Sequence, residues 1–124
     1  MMGFDSKILI VDDSKTALKV MERRLKNLGF SQVQTIGSPK KALAMMKEND
    51  YDIVFLDWIM PEMEGIELFK LMKAAPEISE TVKVIMLTAE NVKDKVISAI
   101  QLGVNGYILK PPTNEKIMNQ LDRL

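Results

Sequence analysis

The 124-residue sequence contains no cysteine and no histidine. Without cysteine it can form neither a disulfide nor a thiolate nucleophile. Without histidine it cannot build a Ser/His/Asp triad, a histidine-ligated zinc site or a phosphohistidine of its own. It also lacks a hydrophobic run approaching the roughly 20 residues of a membrane span, and its first residues do not resemble a signal peptide. These absences exclude several classes of enzyme and favour a cytoplasmic protein with no membrane partner.

Neither sign of charge is in excess, since Lys+Arg and Asp+Glu both number 17. A balanced surface offers no overall field that would attract nucleic acid, so any phosphate chemistry must be local. Hydrophobic residues make up 47% of the chain and charged residues 27%, as is typical of a globular protein. The length predicts a single domain spanning residues 1–124.

Short apolar runs rich in strand formers alternate along the chain with segments of helical periodicity. The runs cover residues 7–11, 33–36, 53–56, 82–87 and 106–110. Glycine, proline or asparagine follows each of the first four helical segments, which marks where those helices end. Such alternation with short connections implies right-handed βαβ crossovers. The sequence therefore predicts an α/β fold, with a doubly wound parallel sheet of five strands covered by helices on both faces.

Polar side chains lie at the ends of four of these predicted strands. Asp12 and Asp13 follow the first strand, Asp57 follows the third, Thr88 follows the fourth, and Lys110 is the last residue of the fifth. The carboxyl ends of parallel strands share one edge of the sheet, where α/β proteins of this kind bind ligands. Neighbouring carboxylates repel unless a cation lies among them. An all-oxygen ligand set without histidine or cysteine indicates Mg²⁺.

A magnesium ion beside a lysine and a hydroxyl group indicates a site for a phosphoryl group. Aspartate can act as the nucleophile, because aspartyl phosphates are known covalent intermediates. Asp57 is the preferred candidate, since it is a single acid at the centre of the edge. Each residue alone has a structural explanation: Asp12 and Asp13 as helix caps, Lys110 as a solvated strand end, and Thr88 as a turn residue. Their joint occurrence favours the site.

The ordered set of motifs resembles the receiver domain of two-component response regulators, and within that family the single-domain chemotaxis regulators. This resemblance implies a flavodoxin-like strand order 2-1-3-4-5, for which chemotaxis receivers are a standard example. The resemblance extends over essentially the whole chain, and five motifs carry it. They are Val11-Asp12-Asp13-Ser14, Leu56-Asp57-Trp58-Ile59-Met60-Pro61, Met63-Glu64-Gly65, Leu87-Thr88-Ala89-Glu90 and Gly106-Tyr107-Ile108-Leu109-Lys110-Pro111.

The resemblance also implies roles for the matching residues. Asp57 would accept a phosphoryl group from the phosphohistidine of a sensor histidine kinase. Asp13, Asp57 and the backbone carbonyl of Ile59 would bind Mg²⁺ directly, and Asp12 would act mainly through water. Lys110 and Thr88 would contact the phosphoryl oxygens. The chain would then be a signalling protein rather than an enzyme.

A conformational switch is implied in the same way. Thr88 would move toward the phosphoryl group and Tyr107 would turn inward, which would reshape a surface formed by helix four, strand five and helix five. Lys93, Val96, Ile100 and Tyr107 are the candidate partner contacts, although Val96 and Ile100 could equally belong to the core. The downstream protein target is unknown, with a flagellar motor switch as one candidate.

Two residues depart from the chemotaxis pattern, and one alternative function stays open. Ile59 stands where the chemotaxis regulator has asparagine, and Pro112 stands where an aromatic residue usually follows Lys-Pro. An apolar side chain at Ile59 cannot orient an attacking water, so we expect slow self-dephosphorylation. The alternative is a phosphorylation-independent pseudo-receiver that acts only as an interaction module. Such a protein would be expected to lack one of Asp13, Asp57 or Lys110, all of which are present.

Overall fold

A computed structural model describes residues 3–89 and 93–124. The strands are β1 (Lys7–Val11), β2 (Gln32–Ile36), β3 (Ile53–Asp57), β4 (Lys83–Thr88) and β5 (Gly106–Leu109). The helices are α1 (Lys15–Asn27), α2 (Pro39–Glu48), α3 (Gly65–Ala74), α4 (Lys93–Gln101) and α5 (Asn114–Leu121). Strands and helices alternate throughout, as the apolar pattern predicts.

The strands form one sheet in the order β2-β1-β3-β4-β5, and every neighbouring pair is parallel. This confirms the predicted fold class and strand order. The register pairs Val11 with Leu56, Asp57 with Leu87, and Thr88 with Leu109. The carboxyl ends of β1, β3, β4 and β5 therefore lie along one edge of the sheet.

The core consists of two layers because both faces of the central strands are buried. On one face, Leu9, Val54 and Met86 belong to a cluster with residues of α2, α3 and α4. On the other face, Ile10 and Phe55 pack with residues of α1 and α5. Uninterrupted apolar runs, rather than alternating ones, are what such a doubly covered sheet requires.

Side-chain caps mark the start of α1 and α5. Ser14 caps α1 by accepting a hydrogen bond from Ala17 N at 3.2 Å, and Thr113 caps α5 by accepting one from Lys116 N at 3.2 Å. Each cap satisfies a backbone donor that the helix itself cannot pair. Because Ser14, the N-cap of α1, comes directly after Asp12 and Asp13, the chain leaves the sheet at those acids.

The orientation of α4 decides between the two alternatives left open for Val96 and assigns it to the core. Val96 and Ala99 are buried in the core, whereas Ile97 and Ile100 are exposed. Val96 and Ala99 are three residues apart and therefore lie on the same side of α4. Both side chains face the core, so Val96 does not belong to the exposed surface of this helix. Lys93 begins α4, but its side chain lies outside the described part of the structure.

Candidate functional site

Three polar residues are buried at the carboxyl edge of the sheet. Asp12 and Thr88 are each 1% exposed and Asp57 is 6% exposed. Asp12 directly follows β1, Asp57 ends β3 and Thr88 ends β4. Burial of ionisable groups is costly unless they are paired or bind a cation, so this concentration of acids marks the edge as the candidate site.

Lys110 joins the two buried acids. Its Nζ lies 2.9 Å from Asp57 Oδ1 and 3.2 Å from Asp12 Oδ2. Its backbone N–H donates to the carbonyl oxygen of Thr88 at 2.8 Å, so Lys110 continues the β5 pairing one residue beyond the assigned strand. The ammonium group is thereby held between the ends of β1 and β3.

A third acid, Asp13, completes the cluster from an exposed position. One carboxylate oxygen each from Asp12, Asp13 and Asp57 can be chosen so that all three lie within 4.8 Å of one another. Asp12 already accepts two hydrogen bonds, from Ser14 N at 2.9 Å and from Lys110 Nζ. The parallel sheet thus brings together the three acids named from the sequence.

The chemistry of this ligand set fits Mg²⁺. Mg²⁺ binds carboxylate oxygens at about 2.0–2.1 Å, so oxygens on opposite sides of the ion are about 4 Å apart. The spacing of the acids is of this order, and the single ammonium of Lys110 leaves their negative charge in excess. Asp13, Asp57 and Asp12 are therefore the residues that would hold the ion.

Burial changes the ionisation of Asp57. It raises the pKa of this carboxyl group from 3.8 to about 6, with the charge of Asp12 adding to the effect and the hydrogen bond from Lys110 opposing it. Burial lowers the pKa of Lys110, but the contacts with Asp57 and Asp12 outweigh this and raise the pKa above 10.5. The lysine therefore stays charged, and a bound cation would favour the carboxylate form of Asp57.

The loop after β3 holds Asp57 in place through its backbone. Trp58 N donates to Leu87 O at 2.9 Å, and Gly65 N donates to Trp58 O at 2.8 Å. A Cβ atom at Gly65 would overlap the backbone carbonyl oxygen of Asp57. In the sequence Gly65 is recognisable only as part of a motif, because a close approach of two backbones leaves no sign beyond the glycine itself.

The remaining predicted residues lie around this cluster. The side chain of Ile59 is 63% exposed, and the role of its backbone carbonyl stays a prediction. The hydroxyl of Thr88 donates to Ala89 O at 3.2 Å rather than to the carboxylate of Asp57. Tyr107 pairs in register with Met86 and is 38% exposed.

An apolar cavity of about 470 Å³ opens beside the acids. Its walls include Ala17, Val20 and Met21 of α1 and Pro111 and Pro112 of the β5–α5 loop. Asp12 and Lys110 also contribute to the lining. The sequence does not predict this cavity, because the cavity depends on how the loop packs against α1.

Comparison with known proteins identifies the family. Residues 8–122 match the family model of the response regulator receiver domain. The chain is 42% identical over 118 residues to chemotaxis protein CheY-3 of Vibrio cholerae, covering 95% of this chain and 90% of that protein. It is 36% identical over 118 residues to chemotaxis protein CheY of Pseudomonas aeruginosa, covering 95% and 94% of the two chains.

Solved structures agree with this assignment. Chemotaxis protein CheY4 of Vibrio cholerae superposes with a TM-score of 0.85 at 28% identity, covering 96% of this chain and 98% of that one. A CheY-like receiver domain from Methylobacillus flagellatus gives a TM-score of 0.85 at 29% identity, covering 95% and 97%. None of the helices in residues 3–89 and 93–124 combines the length and hydropathy needed to cross a bilayer. With the acids of its sheet edge in place, the chain belongs to the response regulator receiver domain family, with relatives among the CheY chemotaxis proteins.

Proposed function

We propose that the chain is a phosphoacceptor response regulator in which Asp57 receives a phosphoryl group from the phosphohistidine of a sensor histidine kinase. The observation that carries this proposal is the contact of Lys110 with both Asp57 and Asp12, with Asp13 close enough to share a cation. Because the chain has no histidine, the donor must lie on a partner. In this role the chain is a signalling protein rather than an enzyme.

The transfer follows from the positions of these groups. A carboxylate oxygen of Asp57 attacks phosphorus, the bond from phosphorus to the donor nitrogen breaks, and the nitrogen keeps the electron pair. Lys110, now 2.9 Å from Asp57, would pair its ammonium with a phosphoryl oxygen as the acyl phosphate forms. Bound Mg²⁺, held by Asp13, Asp57 and the Ile59 carbonyl with Asp12 nearby, would supply positive charge against the phosphoryl oxygens.

The output surface is proposed to lie on α4, β5 and α5. The backbone of Lys110 is bonded to that of Thr88, which links the site to β5. Thr88 moving toward the phosphoryl group would free space for Tyr107 to turn inward. Ile100 and Tyr107 are exposed on this side and would contact the downstream protein. Similarity to chemotaxis proteins supports a role in chemotaxis, in the cytoplasm, with a flagellar motor switch as one candidate target.

Mass measurement tests the phosphoacceptor proposal. The protein is incubated with Mg²⁺ and acetyl phosphate, and its intact mass is recorded against time. Wild type is expected to gain one phosphoryl group, and Asp57→Asn none. Asp52→Asn is the matched control, because Asp52 lies at the opposite end of β3 and is exposed. Removing Mg²⁺ with a chelator should stop the reaction.

Failure of wild type to gain the group would favour the alternative, a phosphorylation-independent pseudo-receiver. In that case Asp57→Asn should leave partner binding unchanged. If Asp57→Asn gains no phosphoryl group while Asp52→Asn gains one as wild type does, the result supports Asp57 as the acceptor. Labelling that persists in Asp57→Asn would instead move the acceptor to another residue.

We further propose that Ile59 slows hydrolysis of the acyl phosphate. Ile59 is 63% exposed, lies two residues after Asp57 in the chain, and its side chain carries no polar atom to orient water. Ile59→Asn is expected to speed the loss of the phosphoryl group about tenfold, less than the roughly 100-fold by which the positioning of a reacting group can change a rate. The decay is followed after the donor is removed. Ile59→Val is the control, and an unchanged or slower decay in Ile59→Asn would contradict the proposal.

A further inference from the structure

Lys116 makes three hydrogen bonds at the start of α5. Its Nζ donates to the carbonyl oxygen of Leu109 at 3.1 Å and to that of Pro111 at 3.3 Å. Its backbone N–H donates to the hydroxyl of Thr113 at 3.2 Å. The side chain is half-buried and folds back over the preceding loop. The two carbonyl groups that it contacts lie on either side of Lys110.

The segment that carries Lys110 has few backbone hydrogen-bond donors. Pro111 and Pro112 have no backbone N–H and cannot donate to the sheet. The strand before them, β5, is an edge strand with only β4 as neighbour. The one backbone bond described for Lys110 on its donor side runs to Thr88 O. Further support must therefore come through carbonyl groups, and Lys116 supplies it.

We propose that Lys116 is a positioning residue, which fixes the 109–111 backbone so that the ammonium of Lys110 stays between Asp57 and Asp12. This inference rests on the proposed phosphoacceptor function, because it assigns Lys116 a part in the same reaction. Lys116 does not contact the acids itself. Its effect reaches the site only through the backbone on which Lys110 stands.

Lys116→Met tests the inference, since methionine keeps an unbranched apolar chain but removes the donors. The rate of phosphorylation by acetyl phosphate at saturating Mg²⁺ is expected to fall about tenfold, less than the roughly 100-fold that a 1 Å misplacement of a reacting group can cost. Lys116→Arg, which retains donors, should restore most of the rate. Lys40→Met is the control, because α2 packs on the opposite face of the sheet from α5.

Two further readouts separate positioning from general damage. Mg²⁺ affinity should be unchanged in Lys116→Met, because the acids that would bind the ion are untouched. Hydrogen exchange of the Lys110 amide should become about tenfold faster, since its bond to Thr88 O would open more often. Exchange of amides in β1 and β3 should stay at wild-type rates.

A double-mutant cycle decides the route of the effect. If Lys116 acts through Lys110, then Lys116→Met should change the rate little in a Lys110→Met background. Equal effects in both backgrounds would overturn the inference, as would a wild-type rate in Lys116→Met. Wild type that takes up no phosphoryl group would instead refute the proposed function itself, and the exchange of the Lys110 amide would then show whether Lys116 still fixes the loop.

Discussion

The two ends of β3 carry the same type of side chain in opposite settings. Asp52, just before the strand, is exposed and accepts a hydrogen bond from Lys7 N at 2.8 Å. Asp57, at the other end, is buried and paired with Lys110. Asn105 resembles Asp52 in accepting from a backbone group, Val84 N, at 2.9 Å. Polar side chains at the amino end thus complete the hydrogen bonding of the sheet, whereas those at the carboxyl end face one another.

The two acids at the ends of β3 thus differ in role: Asp52 supports the hydrogen bonding of the sheet, whereas Asp57 belongs to the candidate site. A side chain that satisfies a backbone donor stabilises the fold and needs no ligand. Buried acids that contact one lysine keep an excess of negative charge, which lowers stability unless a cation or a reaction uses it. The carboxyl end is therefore the region where buried charge lowers the stability of the fold. We expect substitutions at the carboxyl end to change mainly the rate of phosphorylation, and substitutions at the amino end to change mainly the free energy of unfolding.

Lys110→Met should produce the largest difference between the ends. Removing a donor that stabilises a transition state costs roughly 100-fold or more in rate. We expect phosphorylation of Asp57 by acetyl phosphate to slow by this factor, as measured by intact mass. Lys83→Met, at the amino end of β4, is the matched control and should react like wild type. Equal slowing in both variants would mean that the two ends are not functionally distinct.

The dependence of stability on pH should report the burial of Asp57. Its folded pKa of about 6 exceeds the reference value of 3.8, so the folded state binds the proton more tightly. The stabilising contribution of the tighter proton binding by Asp57 is therefore full below about pH 4, and it is lost as the pH rises through about 6. Without Mg²⁺, the stability of Asp57→Asn relative to wild type should rise by up to about 3 kcal/mol between about pH 4 and pH 7.

Urea unfolding of both proteins in a chelator, at several pH values, measures this difference. Subtracting the two curves removes the titration of groups that the variants share. A difference that stays constant with pH, or that shrinks as the pH rises, would show that Asp57 is not destabilised by burial in the metal-free protein.

Mg²⁺ should stabilise wild type through the carboxyl end alone. A ligand present at ten times its dissociation constant adds about 1.4 kcal/mol to the free energy of unfolding. The gain should largely disappear in Asp57→Asn and Asp13→Asn, and it should persist in Asp52→Asn. Thermal unfolding with and without the ion measures it. Stabilisation that survives both site substitutions would place the ion elsewhere.

Asp52→Ala should have the smallest effect, and on stability only. Loss of one hydrogen bond to a backbone donor typically costs about 1 kcal/mol. Urea unfolding should show this decrease, while the rate of phosphorylation stays at the wild-type value. A slower reaction would show that the amino end of β3 also influences the site.

The architecture follows closely from the sequence because its signals are local. Each buried strand appears as an apolar run, and the polar residues after it mark where the chain leaves the sheet. The runs at 7–11 and 53–56 match β1 and β3 to within one residue. The parallel arrangement then follows from the alternation with helices, and it accounts for the approach of Asp12, Asp13 and Asp57.

Features that depend on side-chain direction were not predictable in this way. Val96 and Ile100 are both apolar and lie one helical turn apart, yet only Ile100 is exposed, because the packing of α4 fixes which residues face inward. The side chain of Lys116 could extend from α5 in several directions, and its return to the loop depends on the positions of the Leu109 and Pro111 carbonyl groups. The apolar cavity beside the acids likewise depends on how the loop that contains Pro111 and Pro112 packs against α1.

Gly65 has a consequence for engineering. Replacing glycine by alanine in a helix normally stabilises a protein, because the unfolded chain loses conformational freedom. At Gly65 the added methyl group would overlap the carbonyl oxygen of Asp57 and approach the Cε atom of Met86 at 2.9 Å. A thermostabilisation campaign that treats all helix glycines alike would thus displace the end of β3 at Asp57, and it should leave this glycine unmutated.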